Sequence, residues 1–311
     1  VGSGAALLPN TAALQVAEQF GTVAAVHPGR VDLGLGRVDL ARLAKRKEGG
    51  PRVESRPGRE PKPARVVDGL LIPALPVPLP GADLSALGYG FTLLGLNFDA
   101  PLPDYDTQVA EILDYLAGRA TRPDGSPLHV LPIEGADLDL WILGSTPGVS
   151  AKAAGSRGLP FAANYHVLPA TVLDTVAAYR AAFRPGKLAQ PYVAVSADVV
   201  VAETDERARE LAAPYGQWVL DIRSGRGAQP YATPAQARAR EWTDAERAAV
   251  VDRVDTQIVG SPATVVEKLA TLARVTGADE LVVTTITTEH ADRVRSTELL
   301  AEAWATSRVA A

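Results

Sequence analysis

Outside one stretch, segments of strand length alternate with segments of helical period, and no short turn joins one strand directly to the next. This constrains the fold more than any other feature of the chain. A hairpin turn reverses a strand, whereas a strand regained through a helix lies parallel to its predecessor, with a right-handed crossover. Residues 1–8, Arg30–Gly36, Leu138–Leu143, Pro160–Tyr165, Tyr192–Val201 and Asp279–Ile286 read as strands. Helices are expected over Thr11–Val26, Asp104–Gly118, 148–157, Pro169–Phe183, Thr204–Tyr215, Thr243–Val254, from Pro262 to about Val275, and over Glu289–Ala305. Asn10 or Thr11 would cap the first, and Ser261 with Pro262 at N1 would open the seventh. In the second, Val109, Ile112, Leu113 and Leu116 share one face.

Six β/α units are visible, whereas a closed (β/α)8 barrel of the TIM type needs eight. The alternatives are an open doubly wound sheet and a barrel whose first two units precede Val1. The opening VGSGAALLPN reads as the interior of a strand, which favours the barrel with two N-terminal units absent. One domain over 1–311 is expected, interrupted at about 37–103. There KRKEGG and ESRPGREPKPAR are followed by LIPALPVPLP. Proline at that density is excluded from regular helix and central strand, so the stretch reads as a long, mobile insertion with extended segments, a natural lid. Tyr89 to Phe98 reads as a short strand or as a segment packed as a lid, and residues 221–242 as a second polar excursion.

Composition removes several function classes. The 311 residues, 47% hydrophobic and 22% charged, suffice for a large core. Net charge of -5 disfavours a nucleic-acid surface. Cysteine is absent, which excludes disulfides, thiolate metal sites and Cys nucleophiles, and four dispersed histidines make no metal site. No apolar run reaches transmembrane length and no signal peptide opens the chain, so the cytoplasm is the default. No paired carboxylates, GxSxG or P-loop appears, and Gly34 and Gly36 lack the third glycine of a dinucleotide fingerprint.

The chemistry concentrates around WILGSTPGVSAKAAGSRGLPF, Trp141–Phe161: strand, turn, Ala-rich helix, strand. Gly144, Ser145, Thr146 and Ser150 offer backbone N–H groups and hydroxyls at a helix N-terminus, an anion site; a plain capped helix start reads the same way. Arg37, directly after RVDLGLG, could fork onto a phosphate or could open the basic loop. Gly4, Ala5 and Asn10 lie in and after the first strand, where small residues either admit a flat ring or simply pack tightly. His166 ends AANYH at a strand end, where barrel chemistry sits, and could move a proton or cap the next helix. Thr284, Thr285 and Thr288 could line a pocket or serve as strand formers. His27, His129 and His290 read as structural.

VGSGAALLPN, VAEQFGTVAAVHPGRVDLGLGR, WILGSTPGVSAKAAGSRGLPFA and VGSPATVVEKLATLARVTGADELVVTTITTEHADRVRSTELLAEAW together resemble the luciferase-like flavin-dependent monooxygenases. That resemblance implies a (β/α)8 barrel, often dimeric, binding reduced flavin mononucleotide (FMN) or a deazaflavin at the C-terminal strand ends. It implies that Gly144, Ser145, Thr146, Ser150 and Arg37 hold the phosphate. A non-proline cis peptide near Gly4 and Ala5, with Asn10, would support the ring, and His166 would be catalytic. It also implies oxygen, a small organic substrate and a separate flavin reductase as partners, in a homodimer. The family's acidic residue and histidines after the second barrel strand have no counterpart here, which leaves a non-catalytic flavin-binding partner subunit as an alternative. A sugar-phosphate barrel enzyme would share the phosphate turn but lacks a Lys or carboxylate at the visible strand ends.

Overall fold

The computed structural model describes residues 1–8, 10–37, 62–79 and 104–309. Its contacts group into two compact units: Val1–Arg52, Gly88–Ala162 and Asp174–Tyr192 form the first, and Val53–Leu87, Ala163–Leu173 and Val193–Ala311 the second.

The first unit carries β1 (Ala6–Leu8), α1 (Ala13–Val26), β2 (Asp32–Arg37), α2 (Tyr105–Leu116), β5 (Asp139–Gly144) and α3 (Val149–Ser156). It begins the strand β6 (Phe161–Asn164) and holds most of α4 (Val172–Ala182). The ladder is parallel: β1 pairs β2 with Ala6 opposite Leu35, and β2 pairs β5 with Leu35 opposite Ile142. Leu33, Leu35, Leu140, Ile142 and Phe161 are fully or almost fully buried. In β5 and β6 the alternate positions are half-buried, so Leu140, Ile142 and Phe161 form the fully buried face of their strands. Tyr179 of α4 stacks on Phe161 at 5.1 Å and donates to the Leu159 carbonyl at 2.9 Å. Buried tyrosine is tolerated here because its hydroxyl is paired. At α1 the expected cap is not formed. Ala12 is the N-cap, without a side-chain hydrogen bond, and Leu14 is 42% exposed because Ala13, Val16 and Ala17 turn inward instead.

The second unit is built on β7 (Val193–Val201), nine residues rich in β-branched side chains and buried except at Ser196. Along Ala194–Asp198 it pairs in parallel with β9 (Glu280–Thr284). Along Val199–Val201 it pairs with β8 (Ile258–Gly260), a strand absent from the sequence reading. Three residues are too few to register as a period. The helices are α5 (Asp205–Ala212), α6 (Tyr215–Arg223), α7 (Pro234–Ala239), α8 (Asp244–Val254), α9 (Pro262–Thr276) and α10 (His290–Val309). The stretch 221–242, read as a polar excursion, contains the end of α6 and all of α7. Ser261 is the N-cap of α9, but its hydroxyl meets Thr264 rather than a backbone N–H.

The insertion needs a correction where it is described. Arg65–Val67 (β3) and Leu70–Ile72 (β4) form an antiparallel hairpin packed on α9, with Ile72 fully buried. Asp68 and Gly69 both have positive φ, 46° and 89°. That is the two-residue turn an Asp-Gly pair favours. The strand expected over Tyr89–Phe98 lies outside the described residues.

Candidate active site

In the first unit, the start of β1 is bulged. Gly2 bridges Asp32 and Ala6 faces Leu35, so β1 spends one residue more than β2 over the same rise. The Ser3 hydroxyl fills the gap, donating to the Gly34 carbonyl and accepting from the Gly34 N–H, both at 3.0 Å. A side chain at Gly34 would overlap the Ser3 carbonyl oxygen, so only glycine fits there. The Gly4–Ala5 peptide within this bulge is cis. Over Gly4 there is room: an added Cβ would meet nothing nearer than the Leu143 side chain at 3.9 Å. After β1, the side-chain oxygen of Asn10 is buried with no hydrogen-bond partner.

At the far end of β2 stands Arg37. Continuing the β2–β5 register from Leu35 opposite Ile142 brings Arg37 level with Gly144. Gly144 opens the turn into α3, where its backbone lies close to Ser150 and Phe161. The N-cap of α3 is Gly148, without a side-chain cap. The first N–H groups of a helix have no intrahelical acceptor, so they point at whatever lies before the helix. Tyr105 of α2 ties these parts together. Its hydroxyl donates to the Leu35 carbonyl at 3.4 Å. Burial pushes its phenol up to about 12, opposed by the Ser150 hydroxyl and by the Arg37 charge. Tyr105 is therefore a neutral donor at physiological pH. Arg157, just after α3, forks onto Asp106 of α2 at 2.6 and 2.7 Å, fixing one helix against the other. Tyr105 thus lies near both Arg37 and Ser150, which is only 8% exposed, and Gly144, Ser145 and Thr146 form the turn that leads into α3.

In the second unit, β7 presents Ser196 and Asp198 on one face, two residues apart. His166 follows β6, and its Nδ1 lies 2.7 Å from the Ser196 hydroxyl. That hydroxyl also donates to the Ala163 carbonyl at 3.5 Å. In the tautomer protonated at Nδ1, Ser196 accepts from Nδ1–H and the His166 Nε2 carries the lone pair. Burial lowers the His166 pKa, partly offset by Asp198 and reinforced by Arg253. Neutral imidazole with a free Nε2 is a proton acceptor.

Deeper in, Asp198 is the hub of a buried network. Its carboxylate accepts from Arg253 at 3.0 Å, and from the hydroxyls of Tyr215 and Thr284. Arg253 Nε donates to the Tyr215 oxygen at 3.1 Å and its guanidinium lies over the Tyr215 and Trp218 rings. The sequence reading missed Asp198, Arg253 and Tyr215. An acidic residue inside the apolar run VAVSADVVV was the available signal, because a charge in a buried strand requires a partner. Nearby, the Tyr231 hydroxyl is buried without a hydrogen-bond partner, and burial with the Asp198 charge raises its pKa far above the ordinary range. Thr284 is engaged with Asp198, and Thr288 donates to the Ala232 carbonyl. His129 pairs with Glu134 at 2.9 Å and His290 with Arg293.

The comparisons with known proteins agree with one another. Residues 92–280, more than half of the chain, match the family model described as luciferase-like monooxygenase. The uncharacterized protein YvbT of Bacillus subtilis is 33% identical over 98% of this chain and 76% of its own length. A luciferase-like monooxygenase of Escherichia coli is 28% identical over 96% and 75%. Among solved structures, apo-MsnO8 superposes with a TM-score of 0.70 at 29% identity, covering 98% of this chain and 76% of that one. Two structures at 18% identity show likeness of fold alone. One is the oxygenating constituent of 3,6-diketocamphane monooxygenase of Pseudomonas putida in complex with FMN, with a TM-score of 0.57 over 98% and 78% of the two chains. The other is the coenzyme F420 dependent tetrahydromethanopterin reductase of Methanopyrus kandleri, with a TM-score of 0.51 over 97% and 82%. The fold is accordingly the α/β, TIM-barrel type of these enzymes, and the chain belongs to the luciferase-like monooxygenase family.

Proposed function

We propose that the chain is a monooxygenase using reduced FMN and oxygen on a small organic substrate, with the flavin phosphate held at the corner where Arg37 meets the start of α3. One feature supports this reading: the β2–β5 register, continued two residues past Leu35 and Ile142, would bring Arg37 level with Gly144 ahead of a helix N-terminus that no side chain caps. A phosphate there would meet N–H groups, the hydroxyls of Ser145 and Thr146, and a guanidinium that can fork onto two oxygens. Two further features support an aromatic ring system in the same unit. The Gly4 backbone is open to close approach, and the Asn10 oxygen is buried without a partner, ready for an N–H donor. Reduced flavin supplies the reaction with oxygen; the protein supplies orientation and exclusion of water. In this reading Tyr105 holds Ser150 and Arg37 in place; in the second unit, His166 would accept a proton at Nε2 in the tautomer protonated at Nδ1. A separate reductase would furnish reduced flavin, and the working form would be a homodimer.

A deazaflavin is the second reading, favoured by the fold likeness to an F420 dependent enzyme. It would convert the site from oxygen chemistry to hydride transfer while using the same phosphate corner. Anaerobic titration of the folded protein with reduced FMN, with F420 and with riboflavin separates the readings. Reduced FMN is expected to bind, and riboflavin, which lacks the phosphate, at least tenfold more weakly. Tighter F420 binding would assign the deazaflavin, and binding of none of the three would remove the cofactor assignment.

A further inference from the structure

The outer helical layer of the second unit carries a groove of about 550 Å³ between α5, α6, α8, β8 and α9. That volume lies in the range of small-molecule sites, about 300–1,000 Å³. Its walls are of two kinds. Trp242, Val250, Val251 and Val254 make an apolar surface, with Val251 and Val254 47% and 41% exposed although large and hydrophobic. Arg247 and Lys268 line it as cations, and no described carboxylate does. In a chain of net charge -5, a groove with this balance is not a sample of the average surface. Neither cation forms an ion pair among the described residues. Lys268 is instead bent over the wall, its ammonium donating to the Val259 carbonyl at 3.2 Å. Arg209, also in the lining, is already occupied by Glu206 and Asp205.

Apolar area that remains open at the cost of hydration, beside cations without counter-ions, is complementary to a molecule with an apolar chain and one negative end. We propose that this groove binds a free amphiphilic monocarboxylate of medium chain length. The chain would lie on Trp242 and the valines of α8, and the carboxylate between Arg247 and Lys268. A cationic or neutral amphiphile gains only the apolar part. The inference does not depend on the flavin reading: of the groove's lining only Tyr215 belongs to the sites described above, and neither the apolar wall of α8 nor the two cations use its hydroxyl.

Calorimetric titration of the full chain tests it, with decanoate, decanol and decyltrimethylammonium as probes below their micellar concentrations. Decanoate is expected to bind one to one, decanol at least tenfold more weakly, and the cation not measurably. Arg247→Gln with Lys268→Gln should weaken decanoate at least tenfold and leave decanol unchanged. Both positions are exposed, so the fold should tolerate the exchange. Val251→Asp, a second variant at an exposed position, should abolish decanoate binding by placing a carboxylate in the apolar wall. The proposal is overturned if decanoate does not bind, if either variant binds it as the parent does, or if decanol binds as tightly as decanoate.

Discussion

At the scale of single residues, the second unit depends on a charge that the core must hold. Asp198 and Arg253 are 5% and 6% exposed, and each is the other's counter-ion. Removing one partner strands the other in a poorly solvating interior, at a cost of about 3–5 kcal/mol. Asp198→Ala is therefore expected to lower the urea midpoint sharply, and Asp198→Ala with Arg253→Met to recover much of that loss. A double variant no more stable than the single one would show the network to be unimportant as a pair. His166 makes a pH prediction. Its folded pKa lies below the ordinary value of about 6.5, because burial disfavours the imidazolium. The unfolded chain then takes up the proton first as the pH falls. The contribution of His166 to stability is complete above about pH 6.5 and lost as the pH drops through the lower, folded value. Melting temperatures measured between about pH 7 and 5 should fall less steeply for His166→Gln than for the parent; parallel curves would refute the assignment.

At the scale of elements, what was legible followed from length and from local chemistry. Long strands such as Val193–Val201 and helices with a one-sided apolar face such as Tyr105–Leu116 declared themselves through period alone. The capping of the α8 start was not read from the sequence and came with the structure. Thr243 accepts from the Glu246 N–H at 3.2 Å, and Glu246 accepts from the Thr243 N–H at 3.0 Å. Thr243→Ala should cost about 1 kcal/mol in a denaturant titration, the usual worth of such a cap; no loss would mean that α8 is held by packing alone. The elements that escaped did so for identifiable reasons. The Asp68-Gly69 turn is a strong hairpin signal, but the surrounding prolines and basic residues pointed to mobile extended segments rather than to a paired hairpin. Ile258–Gly260 is too short to show alternation and exists because β7 extends three residues beyond β9 and offers them a partner. At the turn before α3, Gly144, Ser145, Thr146 and Ser150 stood out in the sequence by composition, whereas the nearness of Arg37 and Ser150 to Tyr105 needed the structure. Asp198, Arg253 and Tyr215 come from three separate elements, and only tertiary structure brings them together.

At the scale of the whole molecule, the comparisons and the geometry constrain different things. Family membership makes the chain an enzyme of the luciferase-like class; the phosphate site proposed above makes a quantitative claim about how a cofactor would act on stability. A ligand that binds only the native state stabilises it by about 2.7 kcal/mol at a hundredfold excess over its dissociation constant. For a chain of this size that corresponds to a rise in melting temperature on the order of 5 °C. If the phosphate supplies a main anchor, reduced FMN should produce that rise and riboflavin at equal concentration much less. Arg37→Ala should shrink the FMN effect towards the riboflavin value without changing the melting temperature of the ligand-free protein by more than about 1 °C, since Arg37 lies on the exposed end of β2. If Arg37→Ala melts early without ligand, the residue serves the fold and the comparison is carried instead by Thr146→Val, an exposed turn position with the same expected direction. Equal shifts from FMN and riboflavin in the parent would place the binding energy in the ring and take the phosphate away from this corner.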